Sequence, residues 1–499
     1  MRKDWREKTW VVLGGLGMVV LVGRLFWLTV VEGESARVRA DSNRVEIRIL
    51  AAPRGVIYDR NEEKLVINIP GETEGEIKRK YVYGEALAHI LGYVGEVSQE
   101  EIAQVRNLEP GDMIGKMGVE RVWDERLRGV AGAELVETGA SGEVLRRLGR
   151  REPVSGEEVE LTIDAGLQKR VYEILDHRVG VVVVTEVETG QVLALVSSPS
   201  FNPEAVENYL VRADEPLFNR AVGGVYPPGS VFKLVTAVAG LEEGKISGET
   251  EIEDTGEIKI GEFRYGNWYF DQYGRKEGWL NIVRALGRSN DIFFYRVGQM
   301  VGPMGLADWG RRLGLGQEVG WGLGGEAMGL VPDPEWKEKI KGERWFLGNT
   351  YHLAIGQGDI GVTPMQINLL TAAMATGRLC RPEIVPSVKS KAQNCENIKI
   401  SQKTLTLVRQ GMAAACAAGG TAFPLFNFSP AVGCKTGTAQ HGGEGELPHA
   451  WITILAPIEK PEIALTVLLE AAGEGSYQAA PVAREILEYW FHERRGSSG

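Results

Sequence analysis

Hydrophobic and polar positions divide this chain into three parts with different patterns. A continuous apolar run opens the chain at residues 9–31, and a more polar stretch follows to about residue 157. That stretch contains short strand-like runs such as Val45–Leu50 and few long amphipathic helices. The pattern predicts a hydrophobic helix over 9–31, a smaller β-rich module over 32–157 and a larger domain over 158–493.

The larger domain combines strand-like and helical segments. Two apolar runs on either side of Glu188-Thr189-Gly190 predict a β-hairpin, because turn residues between runs of strand length are its usual signature. Periodicity predicts helices over 165–176, 229–241, 280–297, 363–375, 403–418 and 480–491, and strands over 431–440, 449–457 and 462–471. Strands at both ends with helices between them favour the α+β class, with a central antiparallel sheet flanked by helices. Residues 494–499 are predicted to form a disordered tail.

The apolar run Thr9–Val31 has the length of a membrane span. Its 23 residues extend roughly 34 Å as a helix, against about 30 Å of bilayer hydrocarbon. The single charge, Arg24, lies near the end, where its side chain can reach the interface. Residues 1–8 carry four basic and two acidic side chains, so the positive-inside rule makes them a cytoplasmic tail. A cleaved signal peptide is the alternative, but the run is too long and no small-residue cleavage site follows it.

Composition excludes several classes of protein. Hydrophobic residues make up 43% and charged residues 25% of the 499, which is typical of globular chains and not of disordered or collagen-like ones. The 67 acidic residues exceed the 56 basic ones, giving a net charge of −11. Because contacts to phosphate need a basic face, this balance argues against nucleic-acid binding.

Four cysteines bear on redox state and metal binding. They form no C-x-x-C pair, so a structural zinc site is not expected. Cys380 and Cys395 flank a segment that fits two short strands, and a disulfide can join them if the compartment is oxidising. Four buried thiols are the alternative, and the sequence leaves both open.

Three short motifs carry the candidate chemistry, and they occur in the order Ser230-Val231-Phe232-Lys233, Ser289-Asn290-Asp291 and Lys435-Thr436-Gly437. On a helix, side chains three residues apart share a face, so Lys233 can act as the base that activates Ser230 once burial lowers its pKa. A serine at a helix start also has amide groups and the helix dipole available for a developing oxyanion. Each motif alone is weak, since a capping serine with a solvated lysine also matches S-x-x-K.

The combination in this order is typical of penicillin-binding proteins and β-lactamases. On these residues the chain resembles the class B penicillin-binding proteins, which are peptidoglycan D,D-transpeptidases, and is closest to their elongation-type penicillin-binding protein 2 group. The resemblance extends from Arg24 to Trp490. Further matching segments are Arg54–Asn61, Gly115–Gly129, Leu161–Asp164, Ser198–Phe201, Ile355–Gly358, Thr363-Pro364 and Lys435–Gln440.

The resemblance implies a penicillin-binding transpeptidase domain of the serine β-lactamase-like fold, preceded by a β-rich pedestal and the anchor. It implies that Ser230 is the acyl-enzyme nucleophile and Lys233 its base. Ser289 is expected to relay a proton to the leaving amine, and Asp291 to position the donor peptide.

The last motif is expected to bind the substrate. Lys435 and Thr436 would place a positive charge and a hydroxyl near the substrate carboxylate. Gly437 has no Cβ at the strand edge, where a peptide backbone must approach. Thr438 is expected to bind the substrate backbone, and its amide to complete an oxyanion hole with that of Ser230.

The chain departs from the family pattern at four places. Asp291 stands where asparagine is commoner, although elongation-type proteins also carry aspartate. Cys434 precedes the K-T-G where glycine is usual, and the short connection 68–81 implies a truncated pedestal. Some elongation-type relatives hold zinc with His and Cys, but Glu277 and Leu286 occupy those places, so neither a metal nor a cofactor is expected.

The expected function is cross-linking of stem peptides on lipid-linked nascent glycan strands, in cell elongation, with β-lactams acylating the same serine. The expected location is the bacterial cytoplasmic membrane, single-pass, with the catalytic domain outside. The chain offers no room for a glycosyltransferase domain before the pedestal, so the partner expected to polymerise glycan is a SEDS-family glycosyltransferase. The alternatives are a D,D-carboxypeptidase or β-lactamase, in which water replaces the acceptor amine, and a non-catalytic β-lactam sensor or scaffold.

Overall fold

The computed structural model describes residues 3–42, 44–72, 76–104, 108–139, 141, 143–386, 394–443 and 445–494. The tail predicted over 494–499 lies outside these ranges except for Arg494. The chain divides into two compact units. The smaller unit comprises Met1–Gly55, Asn68–Lys78 and Arg128–Glu157, and the larger unit comprises Val56–Ile67, Arg79–Leu127 and Glu158–Gly499. The domain bounds given above remain predictions.

Up to residue 160 the elements are short apart from the N-terminal helix. They are α1 (Lys3–Phe26), α2 (Gly33–Ser42), β1 (Val45–Leu50), β2 (Ile57–Tyr58), β3 (Lys64–Pro70), β4 (Ile77–Tyr81), α3 (Ala88–Leu91), β5 (Val94–Glu96), α4 (Gln99–Gln104), β6 (Met113–Gly115), α5 (Gly118–Val122), α6 (Asp124–Arg128), β7 (Gly132–Thr138), β8 (Val144–Arg151) and β9 (Val159–Glu160).

Longer helices and strands follow. They are α7 (Ala165–Leu175), β10 (Gly180–Glu186), β11 (Val192–Ser198), α8 (Lys233–Glu242), β12 (Ile252–Asp254), β13 (Glu257–Ile260), β14 (Phe263–Gly266), α9 (Trp268–Tyr273), β15 (Gly278–Leu280), α10 (Ile282–Arg288), α11 (Asp291–Arg312), α12 (Pro334–Trp336), α13 (Leu347–Ala354), α14 (Pro364–Thr376), β16 (Arg378–Cys380), β17 (Cys395–Asn397), α15 (Gln402–Ala415), β18 (Gly433–Ala439), β19 (His449–Ala456), β20 (Ile463–Leu469) and α16 (Ala479–Glu488).

The smaller unit contains the apolar N-terminal helix and an open sheet. The segment Trp5–Val31 is 27 residues long and contains an 18-residue window with a mean hydropathy of 2.1, so it is long and apolar enough to cross a membrane. The predicted strand at β1 is present and pairs antiparallel with β7, which pairs with β8. All side chains of β8 are exposed, and so are Ile47 and Ile49 on β1.

The larger unit is built on an antiparallel sheet of five strands in the order β11-β10-β20-β19-β18. The predicted hairpin is formed by β10 and β11, and the C-terminal strands continue the sheet as expected. Apolar side chains are buried on both faces of this sheet. This explains why the sequences of its inner strands are nearly continuous hydrophobic runs. This is the α+β arrangement that the sequence predicts, and it leaves β18 at the edge of the sheet.

The prediction of a single helix over 280–297 is wrong. The structure has two helices in this region, α10 and α11, which are separated at Ser289 and Asn290. Ser289 takes the left-handed conformation with φ 54°, and the Asn290 side chain caps α11 by accepting a hydrogen bond from the Phe293 amide. The cap outweighs the helical periodicity, because asparagine satisfies a helix N-terminus better than it continues a helix.

All four cysteines form disulfides. Of the two alternatives for Cys380 and Cys395, the structure has the disulfide, which joins paired residues of β16 and β17. Cys416 and Cys434 form a second disulfide between the end of α15 and β18, which the sequence did not indicate. The interpretation as four buried thiols is therefore wrong.

Candidate active site

The candidate nucleophile lies on a short 3-10 turn between a proline and a helix. The turn Gly229–Phe232 leads directly into α8, so Ser230 is at a helix start as predicted. Gly229 has φ 53°, and its amide donates to the carbonyl of Gly356 at 2.9 Å. A Cβ at Gly356 would lie 2.1 Å from the Gly229 carbonyl oxygen, so only glycine permits this contact.

Lys233 is fully buried at the first position of α8. Its Nζ donates to the Ser289 carbonyl at 2.7 Å, to Ser289 Oγ at 3.2 Å and to Asp291 Oδ1 at 2.6 Å. Among the described residues, no hydrogen bond joins Lys233 to Ser230 Oγ. Burial lowers the pKa of Lys233, and the Asp291 carboxylate opposes that shift.

Lys435 approaches the hydroxyl of Ser289 from the edge strand β18. Its side chain is also fully buried, and Nζ donates to Ser289 Oγ at 2.8 Å and to the Thr436 carbonyl at 2.8 Å. Burial and the nearby Lys233 ammonium hold the pKa of Lys435 well below its ordinary value. The hydroxyl of Ser289 therefore lies between two buried amines, each supplied by a different motif.

The remaining predicted residues follow along β18. Thr436 Oγ1 is 2.8 Å from Thr421 Oγ1, and the exposed Thr438 accepts a long hydrogen bond from the Gly475 amide at 3.4 Å. A Cβ at Gly437 would lie 3.1 Å from the carbonyl oxygen of Pro228. The glycine thus leaves room for the chain's own backbone next to the turn Gly229–Phe232. No hydrogen bond of Thr438 to the other motif residues occurs in the described part of the chain.

Sequence reasoning missed Asn267, which lies between β14 and α9, and Trp268, which is the first residue of α9. The Trp268 amide donates to Asp291 Oδ2 at 3.1 Å, and Asn267 Oδ1 accepts from the Asp291 amide at 3.1 Å. An asparagine at the N-terminus of a short helix is a recognisable cap, which Asn267 is by position. Nothing in the local pattern relates it to a residue 24 positions away.

The side chains at the two positions where some relatives carry zinc-binding His and Cys make other contacts here. Glu277 forms an ion pair with Arg288, with 2.6 Å between Oε1 and Nε, and Leu286 is buried in the hydrophobic core. Within the described ranges, no group of three or more His, Cys, Asp or Glu side chains is arranged to hold a metal ion.

Comparison with known proteins gives matches over both parts of the chain. Residues 180–488 match the family described as "Penicillin binding protein transpeptidase domain", and residues 70–161 match "Penicillin-binding Protein dimerisation domain". The chain is 33% identical to "Peptidoglycan D,D-transpeptidase MrdA" of Acinetobacter baumannii over 85% of this chain and 67% of that protein.

Solved structures give the same picture. Penicillin-binding protein 2 of Pseudomonas aeruginosa superposes with a TM-score of 0.78 at 31% identity, over 90% of this chain and 98% of that one. A structure titled "Structural coordination of polymerization and crosslinking by a peptidoglycan synthase complex" gives a TM-score of 0.79 at 27% identity, over 97% of this chain and 98% of that one.

Proposed function

Because this chain belongs to the penicillin-binding protein transpeptidase family, we propose that Ser230 is the nucleophile through which it cross-links peptidoglycan. The protein is a serine-type D,D-transpeptidase of the penicillin-binding protein 2 kind. The observation that carries the residue assignment is the meeting of Lys233, Ser289 and Lys435 at one hydroxyl. These residues come from three different motifs, with Ser289 lying 56 positions after Lys233 and 146 positions before Lys435.

In the acylation step, Ser230 Oγ attacks the carbonyl carbon of the bond between the two terminal D-alanines of a donor stem peptide. The hydroxyl proton passes to Lys233 Nζ, which burial inclines towards the neutral amine. The C–N bond breaks, and the departing D-alanine amine takes a proton through Ser289 Oγ. The products of this step are free D-alanine and an ester on Ser230.

In the second step, an amine of a neighbouring stem peptide attacks that ester. The amine loses a proton to the basic group, the new amide bond forms and the Ser230 hydroxyl is restored. β-Lactams acylate the same serine because their ring amide takes the place of the D-alanyl bond. Asp291 positions the donor peptide indirectly, through its ion pair with Lys233.

Charge and hydrogen-bond donors for the substrate come from β18. Lys435 and Thr436 face the substrate carboxylate, Gly437 lets the nucleophile turn approach, and Thr438 binds the substrate backbone. A Cβ at Gly229 would lie 3.0 Å from the Thr438 carbonyl, which supports an oxyanion hole made of the Ser230 and Thr438 amides. Loss of one such donor costs on the order of 3 kcal/mol in transition-state stabilisation.

The protein is membrane-anchored, and we assign its orientation as cytoplasmic for residues 1–8 and extracytoplasmic after the anchor, in the bacterial cytoplasmic membrane. The two disulfides support this orientation, since disulfides persist in oxidising compartments. The glycan strands come from a SEDS-family glycosyltransferase, in cell elongation. The peptidoglycan synthase complex named for a structural relative supports a polymerase partner.

The test is covalent labelling of the full chain, in detergent, with a fluorescent penicillin. Wild type is expected to label with the adduct on the peptide containing Ser230, and Ser230→Ala to show no label. Ser247→Ala, a serine beyond the end of α8, is the matched control and should label like wild type. Absence of label in wild type, or label in Ser230→Ala, contradicts the assignment.

Product analysis separates the transpeptidase from the hydrolase. Incubation with lipid-linked glycan strands bearing pentapeptide stems is expected to give cross-linked dimers together with free D-alanine. Tetrapeptide stems and free D-alanine without dimers would instead identify a carboxypeptidase.

A further inference from the structure

The corner between α10 and α11 is held from outside by a separate segment of the chain. Ser289 at this corner adopts a left-handed conformation, which non-glycine residues adopt at a cost and which the surrounding structure must maintain. We infer that Asn267 and Trp268 are positioning residues for acyl transfer, holding the Ser289 main chain and the Asp291 carboxylate against Lys233. This inference rests on the proposed function.

Trp268 spans the corner with two donors. Its indole Nε1 donates to the carbonyl of Arg288 at 3.0 Å, on the α10 side. Its amide donates to Asp291 Oδ2 at 3.1 Å, on the α11 side. Asp291 Oδ1 is thereby left to accept from Lys233, at 2.6 Å. One residue thus fixes the peptide before Ser289 and the carboxylate after it.

Asn267 fixes the backbone of the same carboxylate residue. It is fully buried; Oδ1 accepts from the Asp291 amide, and Nδ2 donates to Asp254 Oδ2 at 3.0 Å. Asp254 is buried as well, and its carboxylate also accepts from the amides of Gly256 and Glu277. Because a carboxylate can only accept, it orients the amide of Asn267 so that Oδ1 points to Asp291.

The group that responds to this arrangement is Lys233. It faces the Asp291 carboxylate, the Ser289 hydroxyl and the Phe294 ring, whose centre is 5.7 Å away, and Lys435 shares Ser289 with it. Only the carboxylate among these raises the pKa of Lys233, against the effect of burial. A misoriented carboxylate therefore lowers the pKa of Lys233 while the amine loses its alignment.

A matched control exists in the core below the sheet. Asn368 is also fully buried; it donates to the carbonyls of Val183 and Ala464 and accepts from Thr185 Oγ1. Its replacement by alanine removes more buried hydrogen bonds than Asn267→Ala does, but none of them reaches the active site. Asn368→Ala separates loss of stability from loss of positioning.

The experiment measures the second-order acylation rate constant of the full chain with a fluorescent penicillin, from pH 5 to pH 10. Asn267→Ala is expected to slow acylation about 100-fold, the size typical of a misplaced catalytic group. The acidic limb of the pH–rate profile of this variant should also move to lower pH, because a misoriented Asp291 carboxylate no longer raises the pKa of Lys233. Trp268→Phe, which removes only the indole donor, should slow acylation about fivefold. Its control is Trp345→Phe, which loses an indole hydrogen bond to Thr350.

A reciprocal exchange keeps the inference testable if Asn267→Ala does not fold. Asn267→Asp places a second carboxylate against Asp254. Adding Asp254→Asn restores one donor and one acceptor between the two side chains and gives up only the bond that Asp254 Oδ2 accepts from the Glu277 amide. The double variant is expected to acylate about tenfold faster than Asn267→Asp alone.

The outcomes are distinct. Any one of four results overturns the inference while leaving the proposed function intact. They are a wild-type pH profile in folded Asn267→Ala, a wild-type rate constant in Trp268→Phe, an equal shift of the pH profile in Asn368→Ala, and no recovery in the exchange. Failure of the wild type to acylate at Ser230 overturns both.

Discussion

The two sides of the active site are built in different ways. Lys435 lies on β18, where its backbone pairs with Thr453 in a regular antiparallel ladder and where Cys434 is bonded to Cys416. The opposite side, the corner at Ser289, lies between two helices. It is held by a hydrogen bond that Trp268 donates to Arg288 and by one that Asn267 accepts from Asp291.

The difference concerns what a single substitution can remove. A ladder of backbone hydrogen bonds is insensitive to most side-chain changes, because each bond is made by the main chain. A corner held by side chains depends on a few buried polar groups. When one of these groups is removed, its hydrogen-bond partners remain buried without a partner of their own. Activity should therefore be more sensitive to substitution at the corner than along the strand, at equal loss of stability.

Among variants that retain Ser230, the largest expected effect is that of Lys233→Ala. It removes the proposed base and leaves the Asp291 carboxylate without its cation, so the acylation rate constant should fall by about 10³-fold or more. Lys435→Ala, on the strand side, should cost about tenfold less, because Lys233 still reaches Ser289. The rate constants with fluorescent penicillin measure both variants. A larger loss in Lys435→Ala would reverse the comparison.

Removal of each disulfide tests how far the β18 side of the active site depends on a cross-link. The double replacements Cys416→Ala with Cys434→Ala and Cys380→Ala with Cys395→Ala open loops of 18 and 15 residues, so each should cost about 3 kcal/mol of unfolding free energy. Denaturant titration measures that cost. Only the first pair adjoins Lys435, and it should slow acylation severalfold while the second pair does not. Equal kinetic effects would show that the first disulfide acts through stability alone.

Asp291→Asn tests the charge at the corner. If Lys233 is the base, as proposed, it must be neutral to accept a proton, so acylation is expected to be lost as the pH falls through the pKa of Lys233. The Asp291 carboxylate raises that pKa against the effect of burial. Without the charge the pKa falls further, so the acidic limb should move to lower pH, with a rate loss of about tenfold at the plateau. A limb that moves to higher pH contradicts the role of the carboxylate.

The smallest expected effect is that of Thr421→Val. It removes the hydrogen bond to Thr436 at the edge of the strand and should cost about 1 kcal/mol of unfolding free energy. Acylation should change less than twofold, since the β18 ladder remains. Thr406→Val, on the exposed face of α15, controls for the substitution itself. A tenfold kinetic loss would show that the strand also depends on its side chains.

The same contrast separates what the sequence predicts from what it does not. Alternating and continuous apolar runs predicted β10, β11 and β18 to β20, because regular elements leave a period in the residues that form them. The motif order indicated Ser230, Lys233 and Lys435. Their mutual distances required the fold.

The corner at Ser289 has no corresponding periodic pattern in the sequence. Apolar residues continue the helical period on both sides of Ser289, so the break into α10 and α11 was not predicted. The contacts of Asn267 join residues whose relation depends on how β12 to β15 fold back. The disulfide of Cys434 links a strand residue to a helix end with no spacing rule between them. Long-range polar contacts and cross-links of this kind have no periodicity to detect.

The Cys416–Cys434 bond has a practical consequence for preparing the enzyme. In a reducing cytosol the two cysteines would remain thiols, and the loop 417–433, which contains Thr421, would stay open beside the K-T-G strand. Protein purified from such a source should respond to mild oxidation with a gain in penicillin reactivity, and protein exported before purification should not. The free-thiol content at Cys416 and Cys434 therefore reports the fraction of a preparation that has the open loop and reacts more slowly with penicillin.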